Sequence, residues 1–133
     1  MYTPKEKRIV TQWAETLQRT DWDIFSTITY LHDINPSRNE KIMFGLEKYL
    51  KSLKIKFNLF WVMEHTNRNI STHNHLLIKG NRVEKEIEYH LKSKNLIGKQ
   101  VKHVKYDIGA SYYVSKYMCD KDVIWGLVSD NYL

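Results

Sequence analysis

The sequence predicts an α+β domain, in which helices pack against an antiparallel β-sheet. In some segments apolar residues recur three and four positions apart, and in others they alternate, which are the periods of helices and strands. These segments follow one another as a helix, then β-α-β-β-α-β, then a helix and a tail. An order with two adjacent strands at its centre is typical of an antiparallel sheet covered by helices.

The length and composition favour one folded domain over residues 1–133. Of the 133 residues, 42% are hydrophobic and 13% aromatic, which is enough to form a core. The chain has no apolar run of the roughly 18 residues that a membrane span needs, so no membrane partner is expected. The absence of a secretion signal and the single Cys119 fit a reducing cytoplasm and exclude an internal disulfide.

The charge favours an anionic partner. The formal net charge is +6 and the pI is about 9.3. Nucleic acid is the first candidate for a partner of such a protein, although an ordinary basic surface would give the same values.

Each predicted element follows from its local pattern. Thr3 is a candidate N-cap for the first helix, and Pro4 suits the first helical position. In the first strand, Phe25, Thr27 and Thr29 share one face. The predicted elements are helix 4–18, strand 22–30, helix 39–53, strand 55–64, strand 72–78, helix 83–93, strand 98–106 and helix 111–119.

The central β-α-β-β-α-β order is the ferredoxin-like arrangement, which RNA-recognition modules also use. We therefore expect an antiparallel sheet with helices on one face. Residues 31–38 are expected to form a turn around Asn35-Pro36-Ser37, and residues 65–72 a polar turn between two strands. The tail after Cys119 is apolar enough to pack, without a predicted secondary structure. Many unrelated functions use this fold, so it does not decide what the protein does.

Two histidines at the entrance of a short apolar strand form the first candidate site. His73 and His75 are two residues apart, so on a strand their side chains point to the same face. Two such imidazoles can bind one divalent metal, although many similar pairs are only polar surface residues. The preceding strand of the hairpin ends at Glu64. This carboxylate is a candidate third ligand, or else a solvated residue at a strand end.

The tyrosines of the last helix form the second candidate site. Tyr113 and Tyr117 are four residues apart, which places them on one helical face beside Lys116. A tyrosine that attacks a phosphodiester forms a covalent phosphotyrosine and frees a 3′-hydroxyl. A phenol ordinarily has a pKa of about 10, so a neighbouring cation such as Lys116 would help it to react near neutrality. The alternative is that these tyrosines are ordinary aromatic residues of a helix.

Three blocks resemble the motifs of rolling-circle replication initiators, the HUH endonucleases of plasmids and small viruses. In order, they are Phe25-Ser26-Thr27-Ile28-Thr29-Tyr30, Glu64 with His73-Asn74-His75, and Tyr113-Val114-Ser115-Lys116-Tyr117. The resemblance implies that Glu64, His73 and His75 are metal ligands and that Tyr113 is the nicking tyrosine. Tyr117 is similar to the second tyrosine of two-tyrosine members, but single-tyrosine members also carry an aromatic residue there, so its role stays open.

The resemblance implies a metal-dependent enzyme that nicks and rejoins single-stranded DNA at a replication origin. Mn²⁺ or Mg²⁺ would polarise the scissile phosphate. Attack by Tyr113 would leave a 5′-phosphotyrosine and a 3′-hydroxyl, and a later attack by a DNA 3′-hydroxyl would rejoin the strand. The chain contains no GxxxxGK[ST] loop, so the helicase, like the polymerase, would come from the host or the genetic element. A homodimer is compatible with this reaction, since coordinated nicking and joining can use two active sites.

One residue departs from the family pattern. The position between the two histidines is usually bulky and apolar, but here it is Asn74. A polar side chain at a core position needs a hydrogen-bond partner, unless that end of the sheet is less buried. The other histidines are expected to be surface or structural residues: His32, His65, His90 and His103.

Two other functions are compatible with the sequence. A single-tyrosine HUH transposase would also carry its tyrosine on a late helix, although the Lys116-Tyr117 continuation is more similar to the initiators. A non-catalytic RNA- or DNA-binding module would stack bases on exposed aromatic residues of the sheet, such as Tyr30, Phe60 or Trp61. Such a module would need neither a metal nor a nucleophile.

Overall fold

The computed structural model describes residues 3–64, 72–120 and 122–130. Its elements are helix α1 (Pro4–Leu17), strand β1 (Ile24–Tyr30), helix α2 (Pro36–Ser52), strands β2 (Phe57–Glu64) and β3 (His73–Lys79), helix α3 (Val83–Ser93), strand β4 (Ile97–Lys105), helix α4 (Ile108–Ser115), a 3₁₀-helix (Lys116–Cys119) and strand β5 (Trp125–Asp130). Within the described ranges, no helix is long and apolar enough to cross a membrane.

The five strands form one antiparallel sheet in the order β4-β1-β3-β2-β5. The first four strands have the ferredoxin-like order, which confirms the predicted α+β class. β5 adds a fifth strand beside β2 and is formed by the tail, for which no secondary structure was predicted. The predicted turn between β2 and β3, together with His65, lies outside the described residues.

Helix α1 begins where the sequence predicts, but α2 begins three residues earlier than expected. Thr3 and Glu6 form a reciprocal capping box at α1, in which each side chain accepts from the other's backbone N–H. In α2 the N-cap is Asn35, whose Oδ1 accepts from the backbone N–H of Arg38 at 2.8 Å. Pro36 then occupies the first helical position, so the Asn-Pro pair starts a helix rather than ending a turn.

Helices cover both faces of the sheet, so the expectation of helices on one face only is wrong. One face packs against α2 and α3 through a cluster that includes Ile28, Leu59 and Leu76. The other face contributes Phe60, Val62 and Leu77 to a second cluster under α1 and α4. The strands alternate between these two apolar environments, which explains why β2 reads as a continuous apolar run.

The burial of the sheet aromatics contradicts the idea of an exposed stacking surface. The exposed fractions of Tyr30, Phe60 and Trp61 are only 1%, 0% and 3%. Trp61 also donates its indole N–H to Glu47 at 3.1 Å, and its ring lies beneath α2. None of these three rings is available to bases, because the sheet is covered on both sides.

Asn74 is fully buried and forms hydrogen bonds beneath α2. Its amide N–H donates to the hydroxyl of Tyr30 at 3.0 Å and to Oδ1 of Asn39 at 2.8 Å. Asn39 donates in return to Oδ1 of Asn74 at 3.0 Å, and Tyr30 donates to Oδ1 of Asn39 at 2.6 Å. The polar residue between the two histidines therefore has the partners that its burial requires.

Candidate metal and nucleophile site

The predicted site residues converge at one end of the sheet. The β2–β3 register pairs Glu64 with His73 and Val62 with His75, so all of these except Val62 provide polar side chains on the face covered by α1 and α4. Glu64, His73, His75 and Tyr113 line one cavity of about 480 Å³. The last helix therefore lies across the sheet beside the histidines, as the sequence-based mechanism required.

Two threonines of β1 hold the histidine rings, and sequence reasoning did not assign them a role. The β1–β3 register pairs Thr27 with His75 and Thr29 with His73. Their hydroxyls lie 3.1 Å and 2.7 Å from the respective Nδ1 atoms. Because Nδ1 of each ring is engaged, Nε2 is the nitrogen that remains to bind a ligand. The predicted shared face of Thr27 and Thr29 was the feature of the sequence that could have identified them.

Glu64 accepts two hydrogen bonds at the same carboxylate oxygen. Nε2 of His75 lies 2.7 Å from Oε1, and the hydroxyl of Tyr117 donates to Oε1 at 2.6 Å. Burial alone would raise the pKa of Glu64, but the hydrogen bonds from His75 and Tyr117 outweigh it and keep the pKa below its usual value. This carboxyl group is therefore ionised at neutral pH, the form in which it can bind a cation.

Burial determines the protonation of His75. It lowers the pKa of this imidazole below its ordinary value, and the neighbouring Glu64 carboxylate opposes that shift only in part. The ring is therefore neutral near pH 7, which is the form that binds metals. In the arrangement described, Nε2–H donates to Glu64, and Nδ1 accepts from the hydroxyl of Thr27.

The two tyrosines have different environments. Tyr113 is 41% exposed, lines the cavity, and meets the His75 ring edge-on, at 5.2 Å between centroids and 81° between planes. Tyr117 stacks on the same ring at 5.2 Å and 15°. Burial and the hydrogen bond to Glu64 raise the pKa of Tyr117 far above its ordinary value. Nζ of Lys116 lies 3.9 Å from the centre of the Tyr113 ring and 4.9 Å from that of Tyr117.

The donor set suits a divalent metal by its chemistry, although its members are bonded to one another here. Two imidazoles and a carboxylate are ligands that Mn²⁺ accepts, and a carboxylate also suits Mg²⁺. Among the residues that the structure describes, no three His, Cys, Asp or Glu side chains are spaced as a ready-made ligand set. The contact between His75 and Glu64 accounts for this, because it joins two donors directly.

The other described histidines lie outside this site. His103 connects β4 to its neighbours, with Nδ1 at 2.6 Å from the hydroxyl of Ser26 and Nε2 at 2.9 Å from Oε1 of Glu88. His90 stacks on Tyr49 at 4.5 Å, and His32 is exposed. The expectation that these three are surface or structural residues agrees with their positions.

The fold and this cluster define an α+β protein with a His–Glu–Tyr site on an antiparallel sheet. The family model of the replication-associated protein ORF2 matches residues 23–122, so the chain belongs to this family. No curated protein and no solved structure gives a significant match. The matched range includes every site residue described above, and the family supports a role in DNA replication.

Proposed function

We propose that this protein initiates replication as an HUH-type endonuclease of a plasmid or small virus, which nicks and rejoins single-stranded origin DNA. The observation that carries the proposal is the meeting of Tyr113 with Glu64, His73 and His75 around one cavity. These residues come from α4, β2 and β3, so only the folded chain brings them together. Membership in a family of replication-associated proteins supports the same role.

Tyr113 is the proposed nucleophile. Its side chain is exposed and lines the cavity, so a phosphate there could approach its hydroxyl. The ammonium group of Lys116, over the face of the ring, would stabilise the negative charge that develops on the phenolate and the phosphate during attack.

Mn²⁺ or Mg²⁺ is the proposed cofactor. Glu64, His73 and His75 would hold the ion, while Thr27 and Thr29 orient the two rings through their Nδ1 atoms. When bound, the ion supplies Lewis-acid polarisation of the scissile phosphate.

Single-stranded DNA is proposed to reach Tyr113 along β4. Lys99 and Lys102 of this strand line the cavity. A cleft of about 250 Å³ adjoins it and shares Lys102 and Tyr113, and another of about 290 Å³ shares Lys99. The two lysines would pair with backbone phosphates, and the net charge of +6 favours the same partner.

The proposed reaction consists of two phosphoryl transfers. In the first, the Tyr113 oxygen bonds to phosphorus, the bond from phosphorus to the DNA 3′-oxygen breaks, and that oxygen takes up a proton. The products are a 5′-phosphotyrosine and a 3′-hydroxyl that primes a polymerase of the host or the element, which would also supply the helicase. In the second, a DNA 3′-hydroxyl attacks the same phosphorus, and the tyrosine leaves and regains its proton.

A nicking assay tests this proposal. Single-stranded oligonucleotides spanning the origin of the encoding element are incubated with the protein and Mn²⁺, Mg²⁺ or EDTA, and covalent adducts are separated on a denaturing gel. We expect a metal-dependent adduct with the wild type and none with Tyr113→Phe. Tyr112→Phe is the matched control, since Tyr112 is the neighbouring tyrosine and is similarly exposed at 43%. Binding of the origin strand without an adduct under any metal would contradict the enzyme and favour a binding module.

A further inference from the structure

We propose that Tyr117 is a positioning residue that holds Glu64 and His75 in place, and that it does not act as a second nucleophile. The inference rests on the proposed nicking function and assigns the tyrosine whose role the sequence left open. Three features of the structure carry it: the partner of the Tyr117 hydroxyl, the orientation of its ring, and the element on which it lies.

The hydroxyl of Tyr117 is directed at a carboxylate. It donates to Oε1 of Glu64 at 2.6 Å, and the same oxygen is 2.7 Å from Nε2 of His75. Tyr117 and His75 therefore hold the Glu64 oxygen from two sides. An attacking oxygen must instead point at phosphorus, and the ionised Glu64 beside Tyr117 would repel the anionic phosphate. The hydroxyl of Tyr113, at 3.4 Å, is a more distant partner of Tyr117.

The ring of Tyr117 supports the imidazole of His75. The two rings are nearly parallel, at 15° and 5.2 Å, whereas Tyr113 approaches His75 at 81°. Tyr117 is half-buried against the apolar cluster beneath α1 and α4, and it is not among the described residues that line the 480 Å³ cavity. A stacked, packed ring fixes the orientation of its neighbour and has little freedom to turn toward a substrate.

The two tyrosines also lie on different elements. α4 ends at Ser115, and Tyr117 belongs to the 3₁₀-helix that follows. The sequence-based prediction of one regular helical face for Tyr113 and Tyr117 is therefore wrong. A 3₁₀-helix turns faster per residue than an α-helix, so the usual relation between positions four apart does not hold across this junction.

The experiment compares wild type, Tyr117→Phe and Tyr112→Phe. Phenylalanine keeps the stacked ring and removes only the hydroxyl that holds Glu64. We expect Tyr117→Phe to bind Mn²⁺ about tenfold more weakly in isothermal titration calorimetry, as is usual when a residue that supports a metal ligand is changed. Its nicking should need correspondingly more Mn²⁺, and its melting temperature should stay near that of the wild type. Tyr112→Phe should match the wild type in all three measurements.

Peptide mapping of the wild-type adduct by mass spectrometry tests the nucleophile without any substitution. We expect DNA on Tyr113 alone, and both cleavage and joining by Tyr117→Phe at saturating Mn²⁺. DNA on Tyr117, loss of joining with retained cleavage in Tyr117→Phe, or an unchanged Mn²⁺ affinity would each overturn the proposal. Absence of DNA from both tyrosines would instead contradict the proposed nicking function, and the Mn²⁺ comparison would still decide whether Tyr117 positions Glu64.

Discussion

Threonine hydroxyls on β1 determine which nitrogen of each site histidine can meet a ligand. Thr29 and Thr27 engage the Nδ1 atoms of His73 and His75 across the β1–β3 pair. The hydroxyl of Thr29 is the closer of the two, and its residue is only 7% exposed, so bulk water competes weakly with this contact.

Replacing Thr29 with valine should weaken metal binding without unfolding the protein. Thr29→Val keeps the β-branched shape and removes the hydroxyl 2.7 Å from Nδ1 of His73, so the ring loses its orientation. We expect a Mn²⁺ affinity about tenfold lower by isothermal titration calorimetry. Thr29→Ser retains the hydroxyl and should bind nearly as tightly as the wild type. Equal affinity in the valine variant would show that the hydroxyl does not orient the ring.

Asn74 links the histidine strand to the helix on the opposite face. Replacing it with alanine removes the partner of the Asn39 amide and one partner of the Tyr30 hydroxyl, both fully buried. We expect Asn74→Ala to lower the free energy of unfolding by about 3 kcal/mol in urea titration, because buried polar groups lose their partners. Tyr30→Phe leaves the paired amides intact and should cost only about 1 kcal/mol. A loss as small for Asn74→Ala would mean that the network is not stabilising.

The residues with distinctive chemistry could be predicted from the sequence, but their supporting residues could not. Glu64, His73, His75 and Tyr113 belong to motifs with recognisable spacing, and they do meet in the structure. The role of Thr27 depends on which strand lies beside β3, and the sequence alone does not specify that register.

At the scale of elements, the accuracy of prediction followed the strength of local patterns. α3 has the predicted bounds, Val83–Ser93, because its apolar residues recur at helical spacing. β5 was missed because its partner, β2, lies far away in sequence. The second covered face was also missed, since strands buried on both sides lack the alternation that distinguishes an inner from an outer face.

Gly126 and Gly45 should respond oppositely to alanine. A Cβ on Gly126 would lie against the indole of Trp61, whereas one on Gly45, inside α2, would meet nothing within 4 Å. We expect Gly126→Ala to lower the free energy of unfolding by about 2 kcal/mol through overpacking at the β2–β5 pair. Gly45→Ala should raise it by about 1 kcal/mol, because alanine favours the helix. Urea denaturation measures both, and a stable Gly126→Ala variant would show that β5 can shift away from Trp61.

The whole molecule separates its chemical centre from its proposed DNA-binding strand. β3 and β2 lie inside the sheet, flanked by β1 and β5, whereas β4 is at an edge. Lysines along an edge strand also discourage it from pairing with other sheets. Lys99 and Lys102 can therefore serve both the proposed DNA contact and the protection of this edge.

Removing these two lysines should change the salt dependence of DNA binding. In EDTA, where cleavage is not expected, fluorescence anisotropy gives the affinity for single-stranded DNA at several salt concentrations. We expect the slope of log affinity against log salt to decrease in magnitude by roughly 0.7 for each of Lys99→Ala and Lys102→Ala. Lys48→Ala is the control, since Lys48 is exposed on α2, beyond the opposite face. An equal effect of Lys48→Ala would indicate nonspecific attraction to the whole protein.

The contacts that build the candidate site join residues distant along the chain. Thr29 and His73 are 44 positions apart, Thr27 and His75 are 48, and Glu64 and Tyr117 are 53. Pairings of this kind form late, because closing long loops costs entropy before the contacts repay it. A chain still being synthesised has its histidines before its tyrosines exist, and a misfolded chain has both without bringing them together. The proposed DNA cleavage would therefore be confined to molecules that have finished folding.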